Sequence, residues 1–255
     1  MKKYLLTKIH LQTIDEEKLK RFLSVAYKYH ELQQKNKALE EAAITDSLTG
    51  LYNRRAVKRF VPNIFDLVNG KAKQVDTSIE IDNVCAIFLI DLDNFKHLND
   101  TYGHDKGDSA LYHVARALQT VSRDTDKLIR WGGEEFLLVV PSINSSDIVE
   151  FNKRLHRSIA SLHQVLEIPE PISMSIGATR LPWESCTLDS TVWEHAILIA
   201  DWALYQAKES GRNVTIFINA SREMAAWSDW SVEGLSSAAS EGLLLSSTLD
   251  NDSPG

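Results

Sequence analysis

The sequence predicts an α+β fold: a ferredoxin-like, palm-type central sheet that contains antiparallel strands, is flanked by helices and follows an N-terminal helix expected to form a dimeric coiled coil. Three observations lead there. Between residues 45 and 219, strand-like and helix-like segments run β-α-β-β-α-β with one extra helix and strand, an order that suggests helices on one face of an antiparallel sheet. The run "VCAIFLIDLD" is continuously apolar before it ends in acids, as a central buried strand requires. The pair "KLIRW" and "EEFLLVVP" reads as a hairpin, with Gly132 and Gly133 at a turn that needs positive φ.

Residues 1–44 form the first zone. The start "MKKYLLTKIHLQTIDEEK" resembles a secretory leader only in its lysines, because Lys8 and His10 interrupt the apolar stretch. From Phe22 to Ala43 the chain reads as one helix. Phe22, Tyr29, Asn36 and Ala43 lie seven apart, and Val25, Leu32 and Leu39 follow three residues later, an a/d seam of about three heptads. Asparagine at an a position costs stability but pairs best with itself, which fixes register and strand number. A parallel dimer is expected; an amphipathic helix packed on its own domain is the alternative.

Residues 45–219 form the second zone. After the central strand come a helix from Lys106 to Ser122, the hairpin, and a helix through "DIVEFNKRLHRSIASLHQVL". A strand "PISMSIGATR", a helix "TVWEHAILIADWALYQAKES" and a strand "NVTIFI" complete it, with Gly211 at a helix C-cap. Residues 220–255 are rich in serine and end in "STLDNDSPG"; they read as a poorly ordered tail with a short helix near "REMAAWSDW". Trp227 and Trp230 either dock on the main domain or stay exposed.

At 255 residues the chain holds one large domain or a medium one with extensions, and its composition is that of a soluble protein. Cys85 and Cys186 lie far apart without metal-ligand spacing, which argues against a disulfide framework and for a reducing, cytoplasmic setting; Cys85 reads as core. No window supplies the roughly 20 apolar residues of a membrane span. The formal net charge of -7 argues against nucleic acid as a partner, though a phosphate-bearing small ligand remains compatible if local cations offset its charge.

Asp91 and Asp93 are two apart and point to the same side of their strand, and Glu134 and Glu135 fall on an adjacent one, so three or four carboxylates converge at a sheet edge. Like charges that close are costly unless a cation sits among them, and oxygen-only ligands select Mg2+ or Mn2+. A structural or solvated role for such acids stays open on this pattern alone. "NFKHLNDTYGHDKGD" then adds a lysine, a glycine-bearing turn, an asparagine and an aspartate, a set able to hold a nucleotide triphosphate beside a metal. Lys208 and Arg212 add positive groups near the end of the last helix.

Five ordered segments, "DSLTGLYNRR", "DLDNFKHLNDTYGHDKGD", "RWGGEEF", "SMSIGA" and "ADWALYQAKESGRN", resemble the GGDEF domain of the diguanylate cyclase family, with the signature in its GGEEF form. The resemblance covers the whole second zone. It implies condensation of two GTP into cyclic di-GMP with release of two pyrophosphates, aided by two Mg2+ (or Mn2+) ions per active site, about 4 Å apart. It further implies that Asp91, the Leu92 carbonyl and Glu134 hold metal. Glu134 is the candidate proton acceptor, Glu135 helps with the second ion, and Lys96 stabilises transition-state charge. Asn99 and Asp108 match guanine readers, and the chemistry agrees: a carboxylate accepts from guanine N1 and N2 while an amide donates to N3 or O6. His104 matches a pocket position, or else is a turn histidine. Backbone amides around Asn94 and Phe95, together with Lys208 and Arg212, match phosphate contacts. Asp46, Arg54 and Arg55 are read as structural, fastening the initial helix to the sheet.

"RDTD" places Arg123 and Asp126 as an RxxD at the spacing of the family's product-inhibition site, where cyclic di-GMP is held; a surface ion pair is the alternative. Each domain presents one GTP, so the chemistry requires a homodimer, which gives the N-terminal seam a purpose. The rival function is an inactive cyclic di-GMP or GTP binding module, against which Asp91, Lys96, Asn99, Asp108, Glu134 and Glu135 all match.

Overall fold

The structure is a computed structural model, and it describes residues 16–72, 83–183 and 190–249. The chain divides into two compact units, Met1–Ile44 and Thr45–Gly255. In the first, helix α1 (Glu16–Ile44) contains neither glycine nor proline and is rich in strong helix formers. Its Phe22, Val25, Tyr29, Leu32 and Leu39 side chains are all exposed. The Lys35–Glu31 pair at 2.7 Å is worth only about 0.3 kcal/mol, so this helix gains little from its own surface.

The second unit is built on a mixed seven-stranded sheet. Its strands are β1 (Tyr52–Asn53), β2 (Asn83–Leu92), β3 (Lys127–Arg130), β4 (Glu135–Asn144), β5 (Met174–Leu181), β6 (Thr215–Ala220) and β7 (Leu244–Leu249), in the order β1-β3-β4-β2-β5-β6-β7. The β1–β3 and β5–β6 pairs are parallel and the rest antiparallel. The helices are α2 (Val57–Ala72), α3 (Phe95–Tyr102), α4 (His104–Val121), α5 (Ile148–Ile159), α6 (Leu162–Val165), α7 (Ser190–Glu209) and α8 (Val232–Ser240). The single helix expected over 147–166 is thus broken in two.

Helices cover both faces, which corrects the one-face expectation. The reason lies in β2, whose two alternating sets of side chains are both apolar. Ala86, Phe88 and Ile90 pack with Leu111, Val114 and Leu118 of α4 and with Phe151 and Leu155 of α5. Cys85, Ile87 and Leu89 pack with Val61 and Ile64 of α2 and with Ala196, Ala200 and Ala203 of α7. A strand with no polar face must be covered twice. Cys85 is core, as read, and burial pushes its thiol up to about 12; Cys186 lies outside the described residues.

The poorly ordered tail expected over 220–255 is also corrected through residue 249. Ser231 caps α8 by accepting from the Gly234 amide at 3.0 Å, and β7 extends the sheet edge from Thr215↔Leu249 to Ala220↔Leu244. Its serines hid this, because only Leu244 and Leu249 of β7 are buried. Trp230 stacks on His195 at 3.5 Å and faces Trp183 at 6.2 Å, so the docked reading of that tryptophan holds.

A cluster of three polar side chains is sealed inside. The Thr215 hydroxyl donates to Asn152 Oδ1 at 2.6 Å, leaving its oxygen to accept from His156 Nε2 at 2.9 Å. Burial pushes His156 down to about 4, so the ring is neutral near pH 7. Among the described residues, no helix is long and apolar enough to cross a membrane.

Candidate active site

Asp91 ends the central strand, and in register it stands between Glu135 of β4 and Ser175 of β5. Its parity puts it on the α7 face, with Ile87 and Leu89. From the last turn of α7, Lys208 reaches it: Nζ lies 2.8 Å from Asp91 Oδ2. Asp91 is only 5% exposed, and this burial raises its pKa against the pull of Lys208. Burial first, and the Asp91 charge second, also raise Glu134 and Glu135 above the usual carboxylate range; Asp201 of α7 adds to the repulsion at Glu135. The three acids feel one another, and each would be easier to hold uncharged. Among the described residues, no three His, Cys, Asp or Glu side chains close around one point as a metal cage.

Residues 131–134 connect β3 to β4. The Trp131 amide donates to the Glu135 carbonyl at 2.8 Å, and the Leu92 amide donates to the Glu134 carbonyl at 3.4 Å. Neither Gly132 nor Gly133 has positive φ, contrary to the sequence expectation. A Cβ at Gly132 would lie 2.4 Å from Glu135 Oε2, so a side chain there would displace the Glu135 carboxylate.

The turn is held from outside by a residue the sequence reading missed. Arg130 donates through Nη2 to the Gly133 carbonyl at 2.8 Å and through Nη1 to Asp46 at 3.0 Å. Burial alone would raise Asp46, but hydrogen bonds from Thr49 and the Arg130 guanidinium hold its carboxyl below the usual range. Asp46 is therefore a structural acid that joins the turn at Thr49 to Arg130 of β3. Arg54 lies 4.4 Å above the Trp131 ring and lowers the cost of charge on Glu135. No local signal reveals the Asp46–Arg130 pair, whose members are 84 residues apart.

Asp93 does not join the acid cluster as a free carboxylate. It accepts from Ser173 Oγ at 2.7 Å, Ser175 Oγ at 2.6 Å and the Asn213 amide at 2.9 Å, tying β2 to β5 and to the approach of β6.

Asn94, with φ 55°, turns the chain from β2 into α3. Lys96 is exposed in the first turn of α3, whereas the Phe95 side chain is buried in the core, leaving only its backbone to meet a ligand. Gly103, at φ 85°, separates α3 from α4. Across that break the Asn99 carboxamide lies against Gly107, the chain neighbour of Asp108. Asp108 and His104 are exposed on the first turns of α4, and Arg212 is exposed beyond α7.

Arg123 and Asp126 lie elsewhere, between α4 and β3. Asp126 is buried and accepts from the Arg123 amide at 2.7 Å, while the Arg123 side chain is exposed. Both border an open depression of about 390 Å³ together with Gly50, Tyr52 and Gln119.

Residues 43–214 match the diguanylate cyclase GGDEF domain. The chain belongs to the GGDEF family of diguanylate cyclases. The diguanylate cyclase DgcM of Escherichia coli (strain K12) is 32% identical over 194 residues, which is 76% of this chain and 43% of that protein. The diguanylate cyclase SiaD of Pseudomonas aeruginosa, solved with its activator SiaC, is 30% identical with a TM-score of 0.57, covering 84% of this chain and 76% of that one. The coiled coil and GGDEF domain of DgcB from Caulobacter crescentus, solved with c-di-GMP, superposes with a TM-score of 0.63 over 76% of this chain and 96% of that one; at 23% identity it shows the fold alone. The chain spans 26% to 49% of the length of the curated relatives it matches. β7 and α8 fall beyond the span of the GGDEF match.

Proposed function

We propose that the chain is a diguanylate cyclase that joins two GTP molecules into cyclic di-GMP. In each half-reaction the 3′ oxygen of one GTP bonds to the α-phosphorus of the other, the bond from that phosphorus to the bridging oxygen breaks, and pyrophosphate leaves. The observation that carries this reading is the set of raised carboxylates where β2 ends and β4 begins, offset by the Lys208 ammonium at 2.8 Å from Asp91 and, from farther away, by Arg212 and Arg54. Such a cluster is poised to take a cation.

The donor set fits a hard divalent ion, because it offers only oxygens, the ligands Mg2+ favours. Asp91, the Leu92 carbonyl and Glu134 would hold it, with Glu135 beside a second ion. When bound, such ions supply a lowered pKa for the attacking hydroxyl and neutralise triphosphate charge. Glu134 accepts the hydroxyl proton. Lys96, the amides of Asn94 and Phe95, Lys208 and Arg212 steady the phosphates. Asp108 accepts from guanine N1 and N2 and Asn99 donates to the base edge, which adenine would leave unpaired. His104, exposed at the start of α4, is the remaining candidate contact to the substrate.

Two GTP molecules must face each other, so the active species is a homodimer, and the exposed seam of α1 is the surface that brings two copies together. Arg123, with its side chain free above the depression, and Asp126 hold cyclic di-GMP as an inhibitor. Incubating the purified chain with GTP and Mg2+, followed by nucleotide chromatography, tests the reading: cyclic di-GMP is expected, and its absence leaves a binding module. Sedimentation of a fully active monomer would remove the dimer. Arg123→Ala keeps the initial rate and relieves inhibition by added cyclic di-GMP; unchanged inhibition would remove the regulatory site.

A further inference from the structure

Glycine is a poor choice inside a helix, and Gly107 lies in the first turns of α4 with an ordinary helical φ. Alanine would serve the helix better. Gly107 is buried, and a Cβ built on it would lie 1.9 Å from Asn99 Oδ1, 2.9 Å from Asn99 Cγ and 3.3 Å from Phe95 Cζ. The first two contacts are impossible for real atoms, so the carboxamide occupies the very space a side chain would fill. Asn99 itself is fixed by its backbone, whose carbonyl accepts from the Gly103 amide at 2.9 Å and closes α3 against the break. With the backbone held, the amide group is the part that can move.

We infer that Gly107 is a positioning residue for base recognition: its missing side chain is the seat in which the Asn99 carboxamide is held beside Asp108. This rests on the reading of Asn99 as a guanine contact and deepens it, because the seat orients the amide before nucleotide arrives. A methyl group at 107 swings the amide out of that orientation without disturbing the backbone. The two glycines of "YGHDKG" then serve different ends, Gly103 for its left-handed backbone and Gly107 for space.

A double-mutant cycle on the full chain tests this, with binding of guanosine 5′-(α,β-methylene)triphosphate and Mg2+ measured by calorimetry, and melting temperature and GTP kinetics beside it. Gly107→Ala is expected to weaken binding about tenfold, the loss of one base hydrogen bond, with KM raised and kcat at saturation unchanged. Asn99→Ala weakens binding by a similar factor, and the double variant is no weaker than Asn99→Ala alone. If Gly107→Ala binds like the parent while Asn99→Ala is weakened, the inference is overturned and the guanine reading stands. Equal weakening by Gly107→Ala in both backgrounds overturns it too, since the added methyl then acts on something other than Asn99. Unchanged binding by Asn99→Ala removes the guanine reading and the inference with it. Should Gly107→Ala melt early, restoration by Asn99→Ala traces the clash to the amide; no restoration overturns it.

Discussion

Asp91 and Asp93 sit two residues apart at the end of one strand, and the protein treats them in opposite ways. Asp93 is saturated, accepting from two serine hydroxyls and a backbone amide. Asp46 is handled likewise, with Thr49 and Arg130 around it. Asp91 is more deeply buried than Asp46 or Asp93, yet among the described residues its one ion pair is with the half-buried Lys208 ammonium, and it stands beside Glu134 and Glu135, for which the described residues show no ion pair. A carboxylate supplied with donors holds a fold together; one starved of them is available to a ligand. Functional sites are where local satisfaction is given up.

The contrast breaks or sharpens by substitution. The largest effect is expected at Asp91→Asn, where product formation from GTP and Mg2+ falls about a thousandfold or more, the scale of a lost charge-stabilising contact, while the urea midpoint does not drop. A clear loss of stability there would put Asp91 with the structural acids.

His156 belongs to the satisfied side, and pH probes it. The unfolded ring takes a proton near its ordinary value of 6.5 while the folded ring resists until about 4. The folded state therefore binds fewer protons in that window, and stability falls as pH drops from 6.5 towards 4, by up to about 3 kcal/mol. Urea unfolding at several pH values should show this slope in the parent and its loss in His156→Gln.

Asp93→Ala is the mirror of Asp91→Asn. It should cost about 2 kcal/mol in urea unfolding, since three donors lose a charged acceptor. The smallest effect is expected at Glu135→Gln. Burial and the neighbouring acids raise this carboxyl, so charging it opposes folding as pH rises above the usual carboxylate range. Without metal at pH 8 the variant should be more stable by a few tenths of a kcal/mol, a gain that vanishes near pH 4. A destabilised variant would mean that Glu135 is a fastener after all.

Much of this was legible in the chain. The apolar run ending at Asp91, the acids after Gly133 and the C-cap at Gly211 are local patterns, and each strand or helix they announce is present within a few residues. Less legible was anything that depends on a distant partner. Nothing near Arg130 in the chain announces its bond to Asp46, and nothing near Lys208 announces its ion pair with Asp91. Gly132 was assigned to a positive φ that it does not have, and what lies against it is the Glu135 carboxylate.

The sequence by itself determined the elements and the chemical set, because periodicity, capping and motif spacing act over a few residues. It also determined which residues are candidates to read guanine, hold a cation or meet phosphate. Only the tertiary structure decided which helices cover each face of β2, that the serine-rich end pairs along β6, and which carboxylates receive donors. Those outcomes follow from long-range register and from desolvation, and neither leaves a mark on the neighbouring residues.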